Sequence, residues 1–404
     1  MAKQVGIMFL DVGQGDGTLI TSPTGELVLI DLGSKKNAEI AGADAIKTVT
    51  AVILASMEHR QSDTPRLDKL MVTHGDGDHY NLLTQLAGYV RIVTGKDLQI
   101  GEVVLGGGKA DYDQEFHRLI INPAEAANCL TLFGDSYYNR PNADGTVDPQ
   151  WSLAGGAARL YVLSANYQYQ NAGPKNDKSL VIMVDYAAPK QRVILTGDAE
   201  AGTEAAILGY YAANLAFLES FGLKLGHHGS QAGSSVLWIE AVKQLASFAS
   251  SDMKWAHPYC ETIARITETI GPGAALYDHP WICGRGAGEG KEYQNWNDSN
   301  GFYTTMAFMS ENPLLDPEDG KWYAPGLVQG VQYQLSLYDN GWMQLIDTLG
   351  HDSGVFDPAR AVSGSPVEVV ARTVAAEGFS VPLQIQPNPQ LEAMKTRPYS
   401  GCFK

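Results

Sequence analysis

The segment His74-Gly75-Asp76-Gly77-Asp78-His79 limits what this chain can be more than any other stretch. It sets two imidazoles and two carboxylates directly after the apolar run Leu67 to Val72, which reads as a buried strand. Imidazole nitrogens and carboxylate oxygens are the lone-pair donors that bind hard or borderline divalent cations. The two glycines let the backbone turn tightly enough for those donors to converge. A solvated acidic turn with incidental histidines is the bland alternative, and the density of donors argues against it.

Two more polar loops are placed in the same way. Leu195-Thr196-Gly197-Asp198-Ala199-Glu200 ends a strand and precedes a helix, and taken alone Asp198 reads as a helix N-cap. Gly226-His227-His228-Gly229-Ser230 follows a short strand, and taken alone its histidines are equally ligands or surface residues. Three strand-end polar loops together imply one shared edge.

The remaining pattern predicts the frame around that edge. Apolar runs at Val5 to Leu10, Gly17 to Thr21 and Leu27 to Ile30 form an opening meander, followed by a helix over about 37–60, the strand 67–72 and a helix from Tyr80 to about Leu86. From about 96 to 156 the periodicity fades and turn formers gather, with one helical piece near 125–132, so this segment reads as an insertion. Strands are expected at 158–163, 179–185, 192–196, 223–225 and 246–250, with helices at 199–213, 235–245 and 259–269. Late strands at 301–309, 330–337 and 342–347 are expected to complete the second sheet. Two strand-and-helix halves predict an α/β fold, specifically an αββα sandwich over residues 1–350 with an extension at 351–404.

Composition narrows the function. A length of 404 residues suits one enlarged domain, and 44% hydrophobic with 18% charged residues describes an ordinary globular chain. The net charge of −16 argues against a broad basic surface for tight non-specific nucleic-acid binding, and Lys35-Lys36 is the one adjacent basic pair. Cys129, Cys260, Cys283 and Cys402 show no Cys-x-x-Cys spacing and read as reduced thiols. With no signal-like amino terminus and no long apolar span, the expectation is a soluble, cytoplasmic protein without membrane contact.

Six blocks occur in an order that resembles the metallo-β-lactamase-like domain of the competence protein ComEC and its stand-alone relatives. They are Phe9 to Asp16, Leu29 to Gly33, His74 to His79, Thr196 to Ala199, Leu223 to Ser230 and His257-Pro258. The likeness spans about 5–260, with a looser continuation to about 347. It implies a metallo-β-lactamase sandwich holding one or two divalent ions at the sheet edge. His74 and Asp76 would serve one ion, Asp78 and His79 the other, and Asp198 would bridge them. One histidine of the 226–230 loop would complete the second site: His228 is favoured as ligand, with His227 as a phosphate-facing or proton-transferring group, though the residues alone do not separate the two. Asp31 would orient the ligand loop, whereas Asp11 and Asp16 read as turn residues.

Asp76 inside the first motif favours harder ions such as Mn²⁺ over a pure Zn²⁺ site. Ser164 stands where broader relatives often place another metal-binding His, which leaves a one-metal centre open. The implied activity is hydrolysis of a phosphodiester, DNA or RNA first, with catalytic roles for Asp78, Asp198, His227 and His257; His257 reads equally as a capping or packing residue. A small phosphodiester or other ester is the rival substrate, and a degenerate binding or regulatory module is the rival class. A protein partner or homo-oligomer is compatible with either. Asn176 and Ser179 match a small block that would position the site loop, while His59, His117, His279 and His351 read as structural or exposed.

Overall fold

The protein is described from a computed structural model. The description covers residues 3–361 apart from 36–38, 134–135, 168–174, 187–190, 252–256, 275, 277–280, 286–291, 297–300, 309–313, 316–321 and 324–327, together with 369–371.

The chain opens with β1 (Gln4–Phe9), β2 (Gly17–Thr21) and β3 (Leu27–Leu32), which pair antiparallel as the meander predicted. Helix α1 (Glu39–His59) crosses over and returns the chain as β4 (Arg66–Val72), parallel to β3. Helix α2 (Leu83–Thr94) repeats the move into β5 (Gln99–Leu105), which is followed in the sheet by β6 (Leu130–Leu132), all parallel. Residues 80–82 are not helical. A short 3-10 turn, Gly77–His79, comes first, and the helix begins at Leu83 and ends on Gly95, whose φ of 71° closes it in the left-handed conformation. The segment read as an insertion therefore contributes two strands to the first sheet. Its turn formers hide short strands that gain their stability from neighbours in the sheet rather than from their own periodicity.

The second sheet is built from β7 (Tyr137–Tyr138), β8 (Trp151–Leu153), β9 (Ala158–Ala165), β10 (Val181–Tyr186), β11 (Arg192–Leu195), β12 (Gly222–Lys224) and β13 (Ala246–Ala249). Strands β9, β10 and β11 are antiparallel neighbours; β11, β12 and β13 are parallel and alternate with the helices Ala201–Tyr210 and Val236–Val242.

Alternation along the strands explains the layering. Val28 and Ile30 face the second sheet, where they pack with Val162, Ile182, Val193 and Phe248, while Leu27 and Leu29 face Val49, Ile53 and Leu86 of the outer helices. On the second sheet Leu160 and Val162 point inward, whereas Tyr161 and Leu163 meet Ile207, Trp238 and Ile263 on the outer side. Both sheets are covered on both faces, giving the predicted αββα sandwich.

Two expectations need correction. The strands Tyr333–Tyr338 and Met343–Asp347 do not complete the second sheet; they extend the first, with Tyr333–Tyr338 antiparallel to β1. Of the late segments, Phe302–Thr304 joins the second sheet, parallel to β13. Every residue of Tyr333–Tyr338 is buried, so its pattern could not say which sheet it would join. The reading of reduced thiols also fails, because Cys260 and Cys283 are disulfide-bonded across 23 positions and no described cysteine is a free thiol. Spacing rules detect local pairs only, whereas the fold brings the helix Cys260–Ile270 beside the strand Trp281–Arg285. Persistent disulfides belong to oxidising compartments, so cysteine usage gives no support to a cytoplasmic location. No described helix is long and apolar enough to cross a membrane.

Candidate metal centre

Polar loops collect where β3, β4, β11, β12 and β13 end at their carboxyl termini. In open parallel sheets that edge is where ligands bind, because each strand delivers its following loop to the same crevice. Backbone hydrogen bonds tie these loops together, one of them across the two sheets. The Leu180 N–H donates to the Thr73 carbonyl at 2.9 Å, His227 N–H to the Gly197 carbonyl at 3.1 Å, and Asp16 N–H to the Asp78 carbonyl at 3.0 Å.

Asp198 is the hub. Its Oδ1 lies 3.2 Å from His79 Nε2 and 3.6 Å from His228 Nε2, and its Oδ2 lies 3.8 Å from His74 Nε2. His74 Nε2 is also 3.6 Å from Asp76 Oδ2, and His228 Nε2 is 3.6 Å from Asp78 Oδ2. Two overlapping donor sets surround this hub, His74, His79 and Asp198, then Asp78, His79 and His228; a third group, Asp16, Asp31 and His79, meets at the other nitrogen of the His79 ring. All of these are buried, and Asp76 is half-buried at the rim.

The donors fit a cation. Among the described residues, His74 Nε2, His79 Nε2, His228 Nε2, Asp78 Oδ1 and Asp198 Oδ1 are buried without a hydrogen-bond partner. Folded proteins pair nearly all such atoms, so five orphans around one point mark a place built for something that accepts lone pairs. The mixed imidazole and carboxylate set suits a borderline or hard divalent ion.

Supporting contacts fix each ring. Asp31 Oδ2 takes His79 Nδ1 at 2.8 Å, and the same carboxylate accepts from Thr73 N–H and Thr73 Oγ1, each at 2.7 Å. His228 Nδ1 donates to the Ser250 carbonyl at 2.8 Å. Both rings thereby turn Nε2 toward the cluster, the arrangement that metal-binding histidines need. Ser179 Oγ accepts from Asp198 N–H at 3.2 Å and lies 3.4 Å from His74 Nδ1. Gly15 and Gly33 pack on the backbone of the ligand loop at Asp78 to Tyr80, leaving no room for a Cβ. Asp31, His227 and His228 hold φ values of 55°, 49° and 56°, a left-handed backbone seldom adopted by side-chain-bearing residues and concentrated at functional sites.

The charges are strongly coupled. The neighbouring His74 imidazole holds Asp76 down to about 2. Burial opposes ionisation of Asp78 and Asp198, but the neighbouring imidazoles outweigh it and hold both carboxyls below the usual range. Burial likewise disfavours the charged form of His79, yet Asp198 and Asp31 raise it well above an ordinary histidine. Depressed carboxyls crowded around buried imidazole nitrogens are a setting that favours a bound cation.

His227 and His228 part company here. His228 is buried with Nε2 in the cluster, whereas His227 is 30% exposed, with Nε2 3.9 Å from Asp198 Oδ2 and Nδ1 3.0 Å from Glu200 Oε1. The Asn176 amide donates to the same Glu200 oxygen at 2.9 Å. His257 is buried beside this pair, its ring centroid 5.6 Å from His227 and 6.0 Å from His228, and its Nδ1 is 3.2 Å from Gln14 Nε2. Ser164 is buried at the end of β9 and belongs to neither donor set. Asp11 caps a turn through Gly13 N–H, but Asp16 does more than stabilise a turn: it forms a buried ion pair with Lys224 at 2.5 Å. His117 bonds the Lys109 carbonyl and His351 pairs with Asp347, both away from the cluster, and His279 lies outside the described residues.

Sequence reasoning missed Glu200, Lys35, Lys175 and Lys224. Glu200 stands two residues after Asp198 in a loop already marked as chemical, so its position was a usable signal. The lysines carried none, since their partners are distant in sequence or hidden in the ligand motif.

Neither a protein-family model nor a curated protein matches the sequence. Among solved structures the chain is similar to the metallo-β-lactamase fold protein YhfI from Bacillus subtilis, at 13% identity and TM-score 0.37, over 66% of this chain and 93% of that one. It is similar to the short form of human tRNase Z at 11% identity and TM-score 0.33, over 62% and 93%. A diphosphatase from the PhnP family is similar at 12% identity and TM-score 0.32, over 65% and 91%. Likeness at this level carries no information about substrate, and the sandwich stands on the chain's own sheets.

Proposed function

We propose that this protein is a metal-dependent hydrolase that cleaves phosphodiesters, with nucleic acid as substrate, and that it is a stand-alone relative of the ComEC hydrolase domain. The five unpartnered buried donor atoms around Asp198 carry this reading. His74, Asp76, Asp78, His79, Asp198 and His228 would hold one or two divalent ions, Mn²⁺ or Zn²⁺. Such ions supply Lewis acidity toward a phosphoryl oxygen and a water acidified toward neutrality.

The chain's own groups do the rest. Asp198, reached by three buried imidazoles and by His227 at the lip, sets the centre of the donor set. His227 is the group for proton transfer to the leaving oxygen, because it stands at the exposed lip and Glu200 raises its proton affinity. His257, beside it, is the second such group. Asp31 and the Ser250 carbonyl hold the rings of His79 and His228 in a single tautomer.

The net charge of −16 favours one alternative, a small phosphodiester that needs no basic track. Release of acid-soluble nucleotide from labelled single- and double-stranded DNA in Mn²⁺ tests the main reading. Cleavage by the wild type that disappears in Asp78→Ala and Asp198→Ala is expected. A metal-loaded wild type that leaves both DNAs intact while hydrolysing bis(p-nitrophenyl) phosphate would replace nucleic acid with the small substrate.

A further inference from the structure

One lysine stands against each half of the donor cluster. Lys35 Nζ is 2.9 Å from Asp78 Oδ2, and Lys175 Nζ is 3.2 Å from Asp76 Oδ1 while donating to the Gly75 carbonyl at 2.7 Å. Their side chains are 40% and 43% exposed, so each head already reaches solvent. Their backbones are anchored. Lys35 N–H donates to the Gln14 carbonyl at 2.7 Å, and the preceding Ser34 exchanges two hydrogen bonds with Asn81. Lys175 opens the turn Lys175–Lys178, whose Asn176 is bonded to Glu200. These are anchored stems with half-exposed cationic heads, set at the rim of the site in a chain of net charge −16.

The carboxylates that hold these ammonium groups, Asp76 and Asp78, are carboxylates a metal would use. A divalent ion on Asp76 or Asp78 weakens the carboxylate's hold on the lysine and repels the ammonium directly. Two lysines released there add two positive charges at the rim of the site. The single negative charge of a small phosphodiester, already drawn to the metal centre, would leave those two ammonium groups without an anion. A chain with phosphates on either side of the scissile one would satisfy them.

We infer that Lys35 and Lys175 are substrate-binding residues, held on Asp78 and Asp76 until metal arrives and then engaged by the flanking phosphates of an oligonucleotide. This rests on the functional reading above and narrows it to a substrate bearing several phosphates. No bond is made or broken in the exchange; each ammonium trades one anionic oxygen for another.

The test has two readouts. In the first, Mn²⁺ is titrated calorimetrically into wild type, Lys35→Ala, Lys175→Ala and the remote surface control Lys96→Ala, which loses only an exposed pair with Asp63. Removal of a competing half-exposed cation is expected to tighten Mn²⁺ binding about two- to fivefold in the first two variants and leave the control unchanged. In the second, a fluorescent single-stranded phosphorothioate 12-mer is bound to the Mn²⁺-loaded proteins over a range of salt. Each of the two substitutions is expected to lower the slope of log affinity against log salt by about 0.7, the value for one phosphate contact on a single strand.

A merely structural role would not tighten metal binding while weakening the oligomer. Unchanged Mn²⁺ affinity and an unchanged salt slope, in proteins that still cleave DNA, would overturn the lysine assignment alone. A wild type that binds Mn²⁺ but neither binds the 12-mer nor cleaves DNA would overturn the parent reading instead.

Discussion

At the scale of single residues, the site is a set of donors whose charges are unbalanced until a cation arrives. Asp198 is shared by three buried imidazoles, so its loss should be felt by both donor sets. Asp198→Ala is expected to retain less than half of the wild-type metal by elemental analysis after gel filtration, with the fold preserved by circular dichroism. Asp31→Asn keeps the shape but weakens the hold on His79 Nδ1, and loss of such supporting contacts typically costs 10- to 100-fold in metal affinity; competition with a chelating dye measures it. The His227–Glu200 pair makes a prediction about pH. Burial lowers the proton affinity of His227, but Glu200 and Asp198 outweigh it, so its value is raised, while Glu200 is lowered chiefly by His227. The contribution of His227 is therefore complete below about 6.5 and lost as pH rises through its raised value, and that of Glu200 is present above about 4.5 and lost as pH falls through its lowered one. In the metal-free protein, Glu200→Gln is expected to move the NMR titration of His227 downward. An unmoved midpoint would break the pairing.

At the scale of elements, the ligand loop is shaped by what lies under it. Gly33, at the end of β3, sits against the backbone from Asp78 to Tyr80, and a methyl group there has nowhere to go. Gly33→Ala is expected to destabilise the protein by about 1–3 kcal/mol, as overpacking does, and to weaken metal binding with it. Denaturant unfolding of the metal-free protein and a metal titration, taken together, check both effects. By contrast Gly77 meets nothing within van der Waals reach, so Gly77→Ala should leave packing unaffected.

For the whole molecule, loops from both sheets must be held together for the donors to meet, so metal and fold are linked. Saturating Mn²⁺ at about 100 times its Kd is expected to add about 2.7 kcal/mol of stability at one site, reversed by chelator. A thermal melt that ignores both metal and chelator would contradict the centre. The Cys260–Cys283 bond closes a loop of about two dozen residues, and replacing both cysteines by serine is expected to cost about 3 kcal/mol in denaturant unfolding. Metal content should survive that change, because none of the donor residues lies inside the loop.

The ligand loops were legible in the sequence because their donors are consecutive: His74 to His79 lie within one turn of chain, and chemistry at that range needs no fold to bring it together. The sandwich was legible for a related reason, since alternation such as Leu27-Val28-Leu29-Ile30 records two different neighbours for the two faces of β3. Long-range partners leave no such trace. That Tyr333–Tyr338 extends the first sheet and that Cys260 meets Cys283 were decided by tertiary packing. So were the burial of His228 and the exposure of His227, which follow from a left-handed turn that aims one ring at Ser250 and Asp198 and the other at Glu200. Sequence by itself determined which atoms could bind a cation; only the folded chain, by burying five of them without partners around one carboxylate, determined where they meet.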